Sequence, residues 1–298
     1  MIETIGHKHE NPPRSPYLEW CINLANKVFK RDWKKHAEDC PSSTIAINAQ
    51  QITLLKSLND NKFNIIKSYR RGGTTTLMLI NALYNALYNQ TPNVHITYIV
   101  HSCGVIEYYT KRLRDICQVC SEKLLWREYP RKSGGVKSIS LRFNGKESII
   151  EFLCPTVPSG GSDVPELLVI DNAAWASDDT FGIKAKRKTI ASTPRFKTGL
   201  FYETWKKALT GANDFVPTSL KWFLDYRLNK NLKGNIGDDT IQIQNGDIGV
   251  ICDTLEQGGK ITNRWYVDKQ RLLGDTATKT EIDAQFADII NNKNYKDE

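Results

Sequence analysis

The sequence predicts an α/β fold with a mostly parallel central sheet flanked by helices, and three observations predict it. Short apolar, β-branched runs recur at 63–66, 96–100, 149–153, 167–170 and 189–191. Helical stretches separate several of them, as crossover connections between parallel strands require. The first run passes through a basic, glycine-containing turn at 67–76 directly into a helical run at 77–88, the outline of a phosphate-binding unit.

The remaining elements follow from periodicity. Leu18, Cys21, Leu24, Ala25 and Val28 fall on one face of a helix within 17–60, and a second helix surrounds 50–58. A helix is expected over 104–125. The stretch 137–152 reads as a hairpin around Asn144-Gly145, because both residues tolerate the positive φ such turns need. Beyond about Phe201 the strand pattern fades into a polar segment at 229–249 and helical stretches at 265–273 and 281–290, with a frayed end at 291–298. The expected organisation is an N-terminal helical segment at 1–60, a core at 61–205 and a small helical or irregular C-terminal subdomain at 206–298.

A chain of 298 residues buries a sizeable core without metal or disulfide support. No apolar run approaches the roughly 20 residues of a membrane helix, and the polar, proline-bearing first residues carry no secretory signal, so a cytosolic protein is expected. Seven scattered cysteines suggest reduced thiols. Cys117 and Cys120 have half of a zinc spacing without a second half, and none of the five histidines completes a ligand pattern. A net charge of +8 favours an acidic polymer as partner.

Lys67 to Thr75, KSYRRGGTT, carries the parts of a phosphate loop: Gly72 and Gly73 let backbone approach phosphate, and Thr74 is the candidate magnesium ligand. Gly73 stands where a lysine usually precedes that threonine, and Lys67, Arg70 or Arg71 would supply the positive charge. On the loop alone, a strand-to-helix turn with solvated basic residues is an equal alternative. Leu167 to Ile170 followed by Asp171 describes a buried strand presenting a carboxylate at the sheet's C-terminal edge, where a magnesium ligand belongs. Asn172 follows instead of a glutamate, and an amide orients water without accepting its proton.

With these motifs in order, and Ser192-Thr193-Pro194 closing the next strand, the chain resembles the large terminase subunit of tailed bacteriophages. The resemblance implies a RecA-like P-loop NTPase that binds ATP and Mg2+ and translocates double-stranded DNA. It makes Gln51 the adenine contact, matches 68–75 to Walker A with Arg70 catalytic, and assigns Thr75 and Arg71 to the nucleotide. It matches Asp171 to Walker B, and Ser192 and Thr193 to the coupling motif. His101-Ser102, Phe201 to Trp205, and 265–286 match further segments.

Two departures stand out. Gly73 displaces the lysine to the first loop position, Lys67, and Asn172 places autonomous turnover in question. The family's nuclease half is expected to be missing, so no DNA cleavage is expected. The implied partners are a portal protein, a small terminase subunit, a homo-oligomeric ring and a separate nuclease chain, acting in the host cytoplasm. The alternative is a nucleotide- or DNA-binding structural subunit that has lost catalysis. Lys184, Lys186, Arg187 and Lys188 form a basic cluster that fits either DNA phosphates or a solvated turn. Lys111, Arg112 and Arg114 fit surface ion pairs or a subunit contact.

Overall fold

In this computed structural model the described residues are 15–34, 47–69, 72–91, 93–130, 136–155, 164–193, 198–220, 260–261, 277–285 and 296–297. The first strand, β1 (Phe63–Lys67), leads through the glycine turn into α3 (Thr74–Tyr88), after the helices α1 (Pro16–Lys34) and α2 (Ala49–Asp60). Then come β2 (His95–Ile99), α4 (Ile106–Val119), β3 (Leu125–Pro130), β4 (Val136–Phe143), β5 (Lys146–Leu153) and β6 (Leu167–Asp171). The short α5 (Asp178–Gly182), β7 (Arg187–Ser192), α6 (Leu200–Leu209) and β8 (Val216–Ser219) follow.

The strands form one eight-stranded sheet in the order β3-β4-β5-β2-β6-β7-β1-β8. From β5 to β8 every pairing is parallel, so the C-terminal ends of β1, β7, β6 and β2 share one edge. The order decides what meets at that edge: β7 stands between the strand that enters the glycine turn and the strand that ends in Asp171. Crevices of this kind, beyond the carboxyl ends of parallel strands, are where α/β sheets bind ligands.

Strand alternation distributes each apolar run over two layers. Ile66, Tyr98, Val169 and Ala191 join Leu18, Cys21, Leu24, Ala25 and Val28 of α1 and the buried faces of α2, α3 and α4 in one core. Ile65, Ile99, Ile170 and Ile190 pack on the other face against Phe201, Trp205 and Ala208, one stripe of α6. Since β6 is covered on both faces, all five of its residues are buried, which explains why the run at 167–170 is continuously apolar rather than alternating. α1 and α2 contribute to the same core as the sheet, and β8 extends that sheet past residue 205. Ile282, on the last helix among the described residues (Lys279–Gln285), is buried in this core as well.

The hairpin is as expected: β4 and β5 pair antiparallel across Asn144 and Gly145, with φ of 49° and 76°. The helix expected over 104–125 ends earlier, at Val119. Leu125–Pro130 instead adds an antiparallel edge strand to β4, a pairing set by the partner strand more than by its own residues. Of the C-terminal stretches, 265–273 and 286–290 lie outside the described residues.

Cys103 and Cys154 are joined by a disulfide, which corrects the expectation of reduced thiols at these positions. They are 51 residues apart in sequence, but they follow the C-terminal ends of the neighbouring strands β2 and β5, and this brings their Cα atoms to 5.0 Å. Closing a loop of this length is worth about 2–4 kcal/mol. Unfolding in guanidinium with and without reductant should show a loss of that size, and Cys103→Ser should show it without reductant. Cys117 is buried, which pushes its thiol up to about 12, and Cys120 is half-buried.

Candidate nucleotide-binding site

The glycine turn and the end of β6 meet. Thr75, in the first turn of α3, donates its hydroxyl to Asp171 Oδ2 at 2.7 Å. Tyr98 of β2 and Tyr109 of α4 donate to the same oxygen at 3.1 and 3.0 Å, while the Asn172 backbone N–H donates to Oδ1 at 2.9 Å. The pleat explains the convergence: Asp171 has the parity of Leu167 and Val169, which point toward the α3 and α4 layer. Burial pushes the Asp171 carboxyl above its usual range, and the bonds from Thr75, Tyr109, Tyr98 and the Asn172 backbone pull against that shift.

Thr74, the expected metal ligand, is placed differently. Its Oγ1 is buried and has no hydrogen-bond partner among the described residues. The hydroxyl that reaches the carboxylate is Thr75's, one position further along, because the helix begins at Thr74 and turns the next side chain toward β6. A hydroxyl beside a carboxylate at a helix N-terminus with no side-chain cap is a donor set suited to Mg2+ and phosphate together.

Gly73 has φ +79°, and a Cβ there would lie 2.8 Å from Phe29 Cζ and 2.9 Å from Gln51 Nε2. The position normally filled by lysine is therefore closed by α1 and α2. Gln51 is wholly buried; its Oε1 accepts from the Asn48 backbone N–H in a capping box, and its Nε2 donates to the Gly72 carbonyl at 2.8 Å. It thus fastens the glycine turn to the start of α2, a role that the sequence signal Asn48-x-x-Gln51 carries. Lys67, on the strand face of Ile65, directs its ammonium over the Trp205 ring at 5.5 Å from the centroid. Arg70 and Arg71 lie outside the described residues.

Ser192 links three segments. Its hydroxyl accepts from the Ala174 backbone N–H at 3.0 Å and donates to the Thr193 carbonyl at 3.0 Å, while its own carbonyl accepts from the Ser68 N–H at 3.0 Å. The end of β7 is thereby joined to the turn after Asp171 on one side and to the entrance of the glycine turn on the other. Pro194 lies outside the described residues.

Among solved structures, the large terminase of bacteriophage HK97 matches 91% of this chain at 10% identity with a TM-score of 0.50. This chain has the fold of a large terminase. It spans about half the length of that protein, 51%. Weaker likenesses are to the large terminase of a thermophilic bacteriophage in complex with ADP (12% identity, 63% of this chain and 51% of that one, TM-score 0.48) and to the Thermus phage P74-26 large terminase ATPase domain (13% identity, 80% and 91%, TM-score 0.45). No family model and no curated protein matches the chain.

The basic cluster on this terminase fold lies at the start of β7, the sheet edge opposite the glycine turn. Lys184 is exposed, and Lys186 is exposed with its ammonium 2.8 Å from Glu166. Arg187 and Lys188 depart from the expected DNA contact. The Arg187 guanidinium donates to Asn85 Oδ1 and to the carbonyls of Leu58, Asn59 and Asn61, where α2 ends. The Lys188 ammonium is buried and donates to the Phe181 carbonyl at 3.0 Å, and burial lowers its pKa. A lowered folded-state value means that stability rises with pH from that value up to about 10.4, the unfolded value. Lys188→Met is accordingly expected to keep or raise the melting temperature at neutral pH. A drop of several degrees in a thermal melt would contradict this.

Arg112 donates from both Nε and a terminal nitrogen to Thr76 Oγ1, at 3.1 and 2.9 Å. Arg114 pairs with Glu107 and Glu128 at 3.0 and 2.7 Å, so both arginines of α4 serve contacts within the chain. Among the described residues no helix is long and apolar enough to cross a membrane.

Proposed function

We propose that this chain is the ATPase part of a viral motor that packages double-stranded DNA. The observation that carries the reading is the hydrogen bond between Thr75 and Asp171, which joins a glycine turn at a helix N-terminus to a buried strand-end carboxylate across the intervening β7. Backbone N–H groups at Gly73 and the start of α3 receive phosphates, with Arg71 adding charge, while Gly72, whose N–H donates to the Tyr69 carbonyl at 3.2 Å, lets the backbone approach. Thr75 and Asp171 hold Mg2+, with Thr74 as the adjoining hydroxyl. Gln51, wholly buried with one N–H on the Gly72 carbonyl, must be uncovered for its other N–H to meet adenine. Lys67 must leave the Trp205 ring to reach phosphate, and Arg70 supplies charge to the reacting group.

Ser192 and Thr193 are placed to transmit the state of the phosphates. The Ser192 carbonyl holds the loop entrance and its hydroxyl holds the turn after Asp171, so loss of a phosphate at one contact is felt at the other. The motor acts as a ring on a portal in the host cytoplasm, with a small terminase subunit and a separate nuclease chain.

The test is ATP hydrolysis by the purified chain with Mg2+, portal and double-stranded DNA, with stimulation by DNA as the expected result. Absence of turnover with all three present would defeat the motor. A second reading is favoured by one observation, the amide of Asn172 where a base would stand. A structural subunit that binds nucleotide without turnover, unimproved by Asn172→Glu, would satisfy it.

DNA contact is assigned to Lys184 and Lys186. Removing one phosphate contact by Lys184→Ala should reduce the slope of log affinity against log salt by about 0.9. Arg187→Ala should leave that slope unchanged, and it should cost about 1–2 kcal/mol in denaturant unfolding because the partly covered carbonyls at the end of α2 lose a charged donor.

A further inference from the structure

A chain of hydrogen bonds runs outward from Asp171 through Tyr109 and Asn172 and ends on His101. Tyr109 donates to the carboxylate, so the phenol oxygen is left as an acceptor. The Asn172 side-chain amide, Nδ2, lies 3.3 Å from that phenol oxygen and 3.3 Å from His101 Nδ1. An NH2 group has two protons and no lone pair to offer, so one proton goes to Tyr109 and the other to His101. The direction of every bond is fixed by the carboxylate at the head of the chain. His101 Nδ1 is then an acceptor, and in the neutral imidazole the proton sits on Nε2.

The backbone supports this arrangement. Asn172 has φ 57° and ψ 43°, a left-handed conformation that is uncommon outside glycine and that asparagine tolerates better than glutamate does. His101 follows β2, whose C-terminal end lies beside that of β6, on the edge that carries the glycine turn.

We propose that Asn172 is a positioning residue that holds His101 with Nδ1 as acceptor, so that Nε2–H is the donor to the terminal phosphate of a bound nucleoside triphosphate. The proposal rests on the nucleotide-binding reading above and adds a specificity device to it: a donor that a triphosphate engages and a diphosphate does not. It also gives the residue after Asp171 a task other than that of a base. A carboxylate at that position would accept from His101 and move the proton to Nδ1, turning the donor away from Nε2.

The experiment is imidazole nitrogen NMR on the full chain, with His101 assigned by its loss in His101→Gln. Wild type should show the Nε2–H tautomer, Asn172→Asp should shift the proton toward Nδ1, and Asn172→Ala should give a mixture. A nonhydrolysable ATP analogue with Mg2+ should move the His101 Nε2 resonance, and ADP should not. In calorimetry the preference for the analogue over ADP should fall about tenfold in His101→Ala and less in His101→Gln, which retains an N–H donor. An Nδ1–H tautomer in wild type, or analogue binding that leaves His101 and the preference unchanged, overturns the proposal while nucleotide binding stands. Failure of wild type to bind either nucleotide defeats the underlying reading, and the proposal with it.

Discussion

Thr75→Ala is expected to lower ATP turnover by on the order of 10²-fold or more, and Thr74→Val to lower it far less. The two residues are neighbours of the same type, so composition predicts no difference. Their surroundings do: the Thr75 hydroxyl reaches Asp171 at 2.7 Å, whereas Thr74 Oγ1 is buried without a partner among the described residues. Losing Thr75 removes the proposed metal ligand and the donor that orients the carboxylate, and either loss alone typically costs roughly 10- to 100-fold. Valine at position 74 replaces a hydroxyl whose burial is uncompensated, so stability should hold or rise by about 1 kcal/mol. Asp171→Asn should lower turnover at least as far as Thr75→Ala does. Steady-state hydrolysis with Mg2+ and DNA, with thermal melts of the same preparations, measures both sides. Equal losses at 74 and 75 would show that the metal is not held by Thr75.

Gly73→Ala is expected to cost about 2–5 kcal/mol, and Gly73→Lys at least as much, with no gain in nucleotide affinity from the added ammonium. Two costs add. A side chain at φ +79° is strained by roughly 1–2 kcal/mol. The new Cβ then meets Phe29 Cζ at 2.8 Å and Gln51 Nε2 at 2.9 Å, and overpacking of that kind costs roughly 1–3 kcal/mol. Phe29 lies in the main core and Gln51 is bonded at both ends of its amide, so neither yields freely. In the double variant with Phe29→Ala the costs should fall short of additive, which denaturant unfolding of all four proteins measures. If Gly73→Lys instead binds ATP more tightly at unchanged stability, the loop is an ordinary phosphate loop lacking only its lysine.

Much of the fold is legible in the residues. The β-branched runs, the turn dipeptide Asn144-Gly145 and the single-faced stripe of α1 each specify their element locally, and each element forms where its pattern lies. The edge strand Leu125–Pro130 and the strand Val216–Ser219 were not legible, because their strand character comes from the neighbours they pair with. The candidate site divides the same way. Asp171 is evident from four apolar residues before it, but Tyr98 and Tyr109 read as ordinary core aromatics until they are seen to share its oxygen. Arg187 and Lys188 look like surface charge in a run of basic residues, but β7 begins there, so Arg187 is half-buried against the end of α2 and Lys188 is carried inward.

What the sequence by itself determined is an α/β chain with a glycine turn between strand and helix and an acidic strand end, since backbone freedom at glycine, strand periodicity and a carboxylate after an apolar run are properties of adjacent residues. Which hydroxyl faces the carboxylate, why position 73 excludes a side chain, and where the amide of residue 172 directs its protons were decided only by the tertiary structure. Those outcomes depend on the rotation of α3 against β6 and on the approach of α1, α2 and α4. Such geometry arises from contacts between residues as many as 96 positions apart, as between Thr75 and Asp171, which no local pattern encodes.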